Sequence, residues 1–273
     1  MTFSTLMVHL ELEHPNDARL QIAGDLAERF NAEVIGIAAS NPQPPYYAGG
    51  SVARSFVERE RIEVKKRIEE AEARFRAAMN GRARDLEWRS AFERPNDYVA
   101  REARAADLII TGSNRDGVLI DRLRRLDPSD LVMVAGRPLF LVPPEVEYLK
   151  LDKVLVAWKD TREARRAVVD ALPLLHKAKD ITVIEIVEGD ASRSAAEDRV
   201  KDVAAWLKRH GILAFPKALH ATGEAEQIDR IWKTEADLVV AGAYGHARLR
   251  EWVFGGVTRN LITRSQRCSF LAH

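Results

Sequence analysis

The residues best suited to chemistry lie between Gly242 and Thr258. Gly242-Ala-Tyr-Gly245-His246 is followed, after the nine-residue spacer that His246 opens, by Gly255-Gly256-Val257-Thr258. Glycine lets a backbone come close to a polyphosphate and supplies positive-φ turns. A helix opening at Gly256 would aim free N–H groups and a positive dipole end at the same spot. Gly-x2-Gly-x9-Gly therefore has the chemistry of a phosphate cradle. His246 can reach a phosphate there, and Trp158, at the end of an apolar run, can stack on a base. Each also has a plainer reading. Glycines after a strand and before a helix are ordinary turn punctuation, a lone histidine is usually surface, and a strand-end tryptophan is usually core or interface.

Other chemistry is poorly supplied. The chain has no Gly-x4-Gly-Lys-Ser/Thr loop, no Gly-x-Ser-x-Gly elbow and no His-Glu-x2-His pair. One cysteine, Cys268, excludes an internal disulfide framework and a multi-cysteine zinc site. Its apolar terminal run marks it as buried and inert. No catalytic residue and no metal site are expected, and an enzyme reading reduces to slow hydrolysis of a bound nucleotide. With 42 Lys+Arg against 41 Asp+Glu, the net charge of +1 lacks the basic excess of a nucleic-acid binder. The N-terminus lacks a signal-peptide pattern, and no run of about 18 apolar residues exists to span a membrane. A cytoplasmic protein with neither nucleic-acid nor membrane partners is expected.

The elements that must position these residues come in two copies. Asp107-Leu-Ile-Ile-Thr-Gly112 matches Asp237-Leu-Val-Val-Ala-Gly242, and at the same offset Arg137-Pro-Leu-Phe-Leu141 matches Arg267-Cys-Ser-Phe-Leu271. Leu6–Leu10 resembles Val154–Trp158. Self-similarity of this kind predicts two domains, 1–145 and 150–273, divided near Pro143-Pro144. In the first, Leu6–Leu10, Glu33–Ala39, Leu86–Ala91, Leu108–Thr111 and Leu139–Val142 read as strands. Asp17–Phe30, Ser51–Asn80 and Pro95–Ala105 read as helices, and Asp127-Pro128-Ser129 as a capped helix start. The second repeats the order. Its strands are Lys153–Trp158, Ile181–Val187, Ala214–Leu219, Leu238–Ala241 and Ser269–Ala272. Its helices are Thr161–His176, Ser194–His210, Glu224–Thr234 and Gly256–Ser265.

Apolar strands alternating with amphipathic helices predict an α/β fold with a parallel sheet covered on both faces, and ligands at the carboxyl ends of its strands. Leu139–Val142 and Ser269–Ala272 would be exposed sheet edges unless they cover each other.

The tandem repeat, the Asp-Leu-Val-Val-Ala-Gly-Ala-Tyr-Gly-His run and the Gly-Gly-Val-Thr helix start resemble the universal stress protein family, in particular its two-domain members. The resemblance covers essentially the whole chain. It implies two tandem doubly wound domains, each a five-stranded parallel sheet flanked by helices, packed as a pseudo-dimer through their last strands. It also implies a stress-response regulatory or protective role, with no required cofactor but with ATP, with or without Mg, or another adenine nucleotide as ligand. Carried over residue by residue, Gly242, Gly245 and Gly255 fit the motif glycines and Ala241 precedes them. Gly256 stands where a hydroxyl residue is expected, while Val257 and Thr258 fit the following positions, the Thr258 hydroxyl being a partial substitute. Ala157, Trp158 and Lys159 end the first strand of the second domain, with Lys159 where the family commonly has an acid. Ile186 fits the second-strand position whose backbone contacts adenine.

The first domain has lost the cradle, Arg115 and Arg125 standing where the second and third glycines would be. It is expected to be a structural partner, its basic loop (Arg115, Arg122, Arg124, Arg125) a solvated surface. The alternative from a different class is a protein-interaction scaffold that binds no nucleotide and works through a homodimer or a protein partner.

Overall fold

The computed structural model describes residues 2–42, 50–113, 124–187, 193–223, 226, 231, 234–244 and 256–273. The first half runs β1 (Thr5–His9), α1 (Asp17–Phe30), β2 (Glu33–Ala39), α2 (Gly50–Met79), β3 (Leu86–Ala91), α3 (Pro95–Glu102), β4 (Leu108–Gly112), α4 (Pro128–Val134) and β5 (Leu139–Val142). The second runs β6 (Lys153–Trp158), α5 (Arg162–Asp170), α6 (Leu172–Leu175), β7 (Asp180–Val187), α7 (Arg193–Arg209), β8 (Phe215–His220), β9 (Leu238–Gly242), α8 (Gly256–Thr263) and β10 (Cys268–Ala272).

The strands form one sheet in the order β3-β2-β1-β4-β5-β10-β9-β6-β7-β8. Each half is a parallel five-stranded sheet of the same winding, and the halves meet at an antiparallel seam, Phe270 opposite Phe140 and Leu271 opposite Leu139. The expected tandem α/β architecture, with pairing through the last strands, is present. Period-2 alternation sends Leu6, Leu108, Phe140, Val154, Val240 and Phe270 to one face, under α1, α2, α5 and α7. Met7, Ile109, Leu139, Leu155, Val239 and Leu271 go to the other, where α3, α4 and α8 pack. Both faces are apolar, as a doubly covered sheet requires.

The repeated aspartate has one structural task. Asp107 Oδ2 accepts from the backbone N–H groups of Ser4 and Thr5 at 2.7 and 3.1 Å. Asp237 Oδ2 accepts from those of Asp152 and Lys153, both at 3.0 Å. Each aspartate thus fixes the entry of its half's central strand. Helix ends also follow local chemistry: Asp127 caps α4 by accepting from Ser129 N at 2.9 Å, and α2 stops just before Gly81 at φ +74°.

Two helices differ from the sequence reading. Thr161–His176 is divided into α5 and α6, because Pro173 has no N–H to donate and its ring crowds the preceding turn. Pro95–Ala105 tightens into a 3-10 turn at Ala103–Ala105. The expected helix Glu224–Thr234 falls, apart from residues 226, 231 and 234, outside the described residues. No helix among the described residues is long and apolar enough to cross a membrane.

The seam yields a paired prediction. Phe270 is fully buried, so Phe270→Ala should cost about 3–5 kcal/mol in urea unfolding of the whole chain. Its neighbour Ser269 is equally buried, and its hydroxyl has no hydrogen-bond partner among the described residues. Ser269→Ala should therefore be neutral or stabilising, by up to about 1 kcal/mol, since a desolvated, unmade bond is removed.

Candidate functional site

In each half the central strand has its sequence successor on one side and a later strand on the other: β1 between β2 and β4, β6 between β7 and β9. The crevices where ligands bind in such sheets therefore lie at the carboxyl ends of β1/β4 and β6/β9. The two have been filled differently.

In the second half, Ala157 and Ala241 are register partners at the crevice, and β6 leads into the exposed Lys159. Asp160 pairs with Arg165 at 2.5 Å, and Thr161 caps α5 by accepting from Ala164 N at 3.3 Å. The first turn of α5 presses directly on the end of β9. A Cβ on Gly242 would lie 2.5 Å from the Ala164 nitrogen and 2.6 Å from the Glu163 carbonyl carbon. Across the crevice, Thr258 in the first turn of α8 donates its hydroxyl to the Gly242 carbonyl at 3.4 Å. Gly256 and Val257 open that helix.

Two groups that sequence reasoning passed over sit here. The Glu163 side chain is buried beside Arg162, at 3.2 Å. Burial pushes its carboxyl up, but hydrogen bonds from its own backbone and from Thr161, together with Arg162 and His273, hold it below the usual carboxylate range. His273 places Nδ1 2.9 Å from the Ala243 carbonyl and Nε2 3.5 Å from Arg162. Only α5's periodicity, which turns its first turn toward the strand ends, hinted at Glu163. Nothing local marked His273.

Of the sequence-predicted site residues, Ala157, Ala241 and Ile186 share one sheet face, while Gly242 and Thr258 meet at its rim. Trp158 points to the opposite face, against the core beneath α5 and α7. Gly245, His246 and Gly255 lie outside the described residues.

In the first half, Arg19 of α1 fills the crevice. A Cβ on Gly112 would meet its guanidinium at 3.2 Å. Arg19 donates to the carbonyls of His9 and Pro15 at 3.2 and 3.3 Å and stands 3.7 Å from Glu11. Arg125 approaches the same Glu11 oxygen at 3.8 Å, and Arg124 pairs with Glu60 at 2.8 Å and Glu13 at 3.5 Å. These two arginines are engaged with acids and are not a solvated basic surface; Arg115 and Arg122 lie outside the described residues. Behind the plug, His9 Nδ1 lies 3.3 Å from the Thr111 hydroxyl. Burial, reinforced by the Arg19 charge, lowers its pKa to about 3. Among the described residues no cluster of His, Cys, Asp and Glu could hold a metal ion.

The fold and the paired crevices define a tandem doubly wound α/β protein, and solved structures of similar length share that fold. A universal stress protein from Archaeoglobus fulgidus DSM 4304 aligns with TM-score 0.72 and 15% identity, over 98% of this chain and 97% of its own. A functionally unknown protein from Pseudomonas aeruginosa PAO1 aligns with TM-score 0.61 and 14% identity, over 99% and 92%. The cytoplasmic domain of a prokaryotic cation chloride cotransporter aligns with TM-score 0.50 and 13% identity, over 98% and 94%. This chain thus has the fold of a tandem universal stress protein. No family model and no curated protein matches its sequence.

Two outcomes follow. Gly242→Ala must push α5 backbone aside and should cost about 1–3 kcal/mol in chemical denaturation, whereas Gly112→Ala displaces only a side-chain end and should cost about 1 kcal/mol or less. His9 is neutral in both folded and unfolded chains above pH 7. As pH falls below 6.5 the unfolded chain takes a proton that the folded one refuses until about pH 3, so stability is lost across that window. Between pH 7.5 and 4.5 the wild type should lose about 2–3 kcal/mol more than His9→Gln, measured by urea unfolding at each pH.

Proposed function

We propose that this chain is a stress-response regulatory or protective protein of the universal stress type, with the second half, 150–273, binding an adenine nucleotide and the first, 1–145, serving as its structural partner. One observation carries the asymmetry: the Arg19 guanidinium lies against Gly112 at the β1/β4 crevice, while the atoms nearest Gly242 at the β6/β9 crevice are α5 backbone at Glu163 and Ala164, with no guanidinium among them. The remaining residues fit a nucleotide by chemistry. Ala157, Ile186 and Ala241 offer a small apolar floor for a base, and buried Glu163 is an acceptor for ribose hydroxyls. The α8 start at Gly256 and Val257, with exposed Lys159, supplies positive potential for phosphates, and a Mg ion would come with them.

A scaffold without nucleotide is the second reading, and two observations favour it. Glu163 puts a negative charge beside the crevice, and the Thr258 hydroxyl is already spent on the Gly242 carbonyl.

Calorimetry and thermal unfolding with ATP, ADP and AMP separate the two. Nucleotide at about 100 times its dissociation constant should stabilise the native state by about 2.7 kcal/mol. Gly245→Val and Gly255→Val should abolish the effect by blocking close backbone approach, and changes at Arg125 should leave it untouched. No heat and no thermal shift at millimolar nucleotide would hand the function to the scaffold.

A further inference from the structure

On the sheet face opposite Ala157, Ile186 and Ala241, a cavity of about 500 Å³ opens between α5 and α7. Small-ligand sites commonly measure about 300–1,000 Å³ and lie between helices. Its floor is Trp158, Val168, Val203 and Trp206. The valines are buried but both indoles are only half-buried, and Val169 at the mouth is 42% exposed. Large apolar surface is thus left in contact with water inside a concave site. The Trp158 indole N–H is buried with no hydrogen-bond partner among the described residues, while Trp206 is braced by an edge-on contact with His210 at 4.1 Å.

The charges around this floor are ordered. Asp202, Trp206 and Arg209 follow at steps of four and three along α7, so they form one stripe, with the two charges about 10 Å apart along the helix. Arg165 faces the cavity from α5 but is paired with Asp160. Asp202 and Arg209 make no ion pair among the described residues. A guanidinium and an indole lining one cavity suit a planar anion: the ring stacks on the indole and the acid group meets the fork of donors. Asp202 at the other end of the stripe repels a second negative charge. Arg209, whose charge no partner among the described residues offsets, disfavours the cations that indole faces otherwise attract.

We propose that the α5–α7 cavity is a binding site for a compact aromatic monoanion, separate from the β6/β9 crevice. Titration of the whole folded chain with 1-anilinonaphthalene-8-sulfonate tests it, read by probe emission on tryptophan excitation. The neutral analogue N-phenyl-1-naphthylamine runs in parallel. Saturable one-to-one binding of the sulfonate is expected. Arg209→Gln should weaken it at least tenfold and leave the neutral analogue within twofold. Val169→Phe, a change at the exposed mouth, should weaken both by narrowing the cavity. Circular dichroism and the unfolding midpoint identify variants that remain folded. Absence of saturable binding, or binding indifferent to both variants, would overturn the site. Displacement of the probe by ATP would overturn its separateness, whereas failure of ATP to bind at all leaves the expected result unchanged.

Discussion

The seam between β5 and β10 is the constraint on which the rest of the architecture depends. Each half ends in a short, buried and largely apolar strand that would be an aggregation-prone edge in isolation. Pairing them antiparallel, with Phe140 opposite Phe270, hides both and makes one sheet. The remaining edges are blunted in ways that apolar strands are not. β3 carries Glu87 and Arg89, bonded at 2.7 Å, and β8 carries Pro216 and Lys217. The seam also reverses strand direction between halves, so the two crevices open at opposite ends of the sheet. Neither can complete the other, and each is free to diverge.

That divergence runs through the helix after the central strand. Burying Arg19 is expensive unless its donors are met, and two backbone carbonyls and Glu11 meet them. The arrangement neutralises His9 and closes the crevice against solvent. In the second half the residue facing the strand-end glycine is Ala164, so α5 settles against Gly242 backbone to backbone. The same glycine in the same repeat therefore answers two different needs: room for a guanidinium in one half, room for a helix in the other.

Much of this was legible in the residues. Alternating strands and helices, double covering and two edges in need of cover follow from the apolar runs and the repeat, while the doubly wound order and the pairing of those edges came with the family resemblance. The repeated Asp107 and Asp237 read only as part of the self-similar segment, and their shared bonds to the central strands come from the fold. Three features went unread. Pro173 lay inside a periodic pattern that its missing N–H divides. Glu163 and His273 become neighbours only through the fold, 110 residues apart. Trp158 could have been placed by parity, since Val154, Val156 and Trp158 must share a face that Ala157 does not. Grouping consecutive strand-end residues as one site overlooked that alternation.

Electrostatics gives the asymmetry of the crevices its meaning. Around the first, Arg19 and Arg125 converge on the Glu11 carboxylate at 3.7 and 3.8 Å, so the cationic site carries its own anion, covalently supplied. An exogenous phosphate there would have to displace a carboxylate whose local concentration no free ligand matches. Around the second, the internal acid is Glu163, held ionised by capping hydrogen bonds at the start of α5 and only secondarily by Arg162. Its negative charge is met by a helix N-terminus and not consumed by a converging pair of guanidiniums. Positive potential from Lys159 and the α8 start is therefore not cancelled by a buried arginine–carboxylate pair, as it is in the first half. The first crevice is closed around its own carboxylate, and in the second no pair of guanidiniums among the described residues converges on the internal acid.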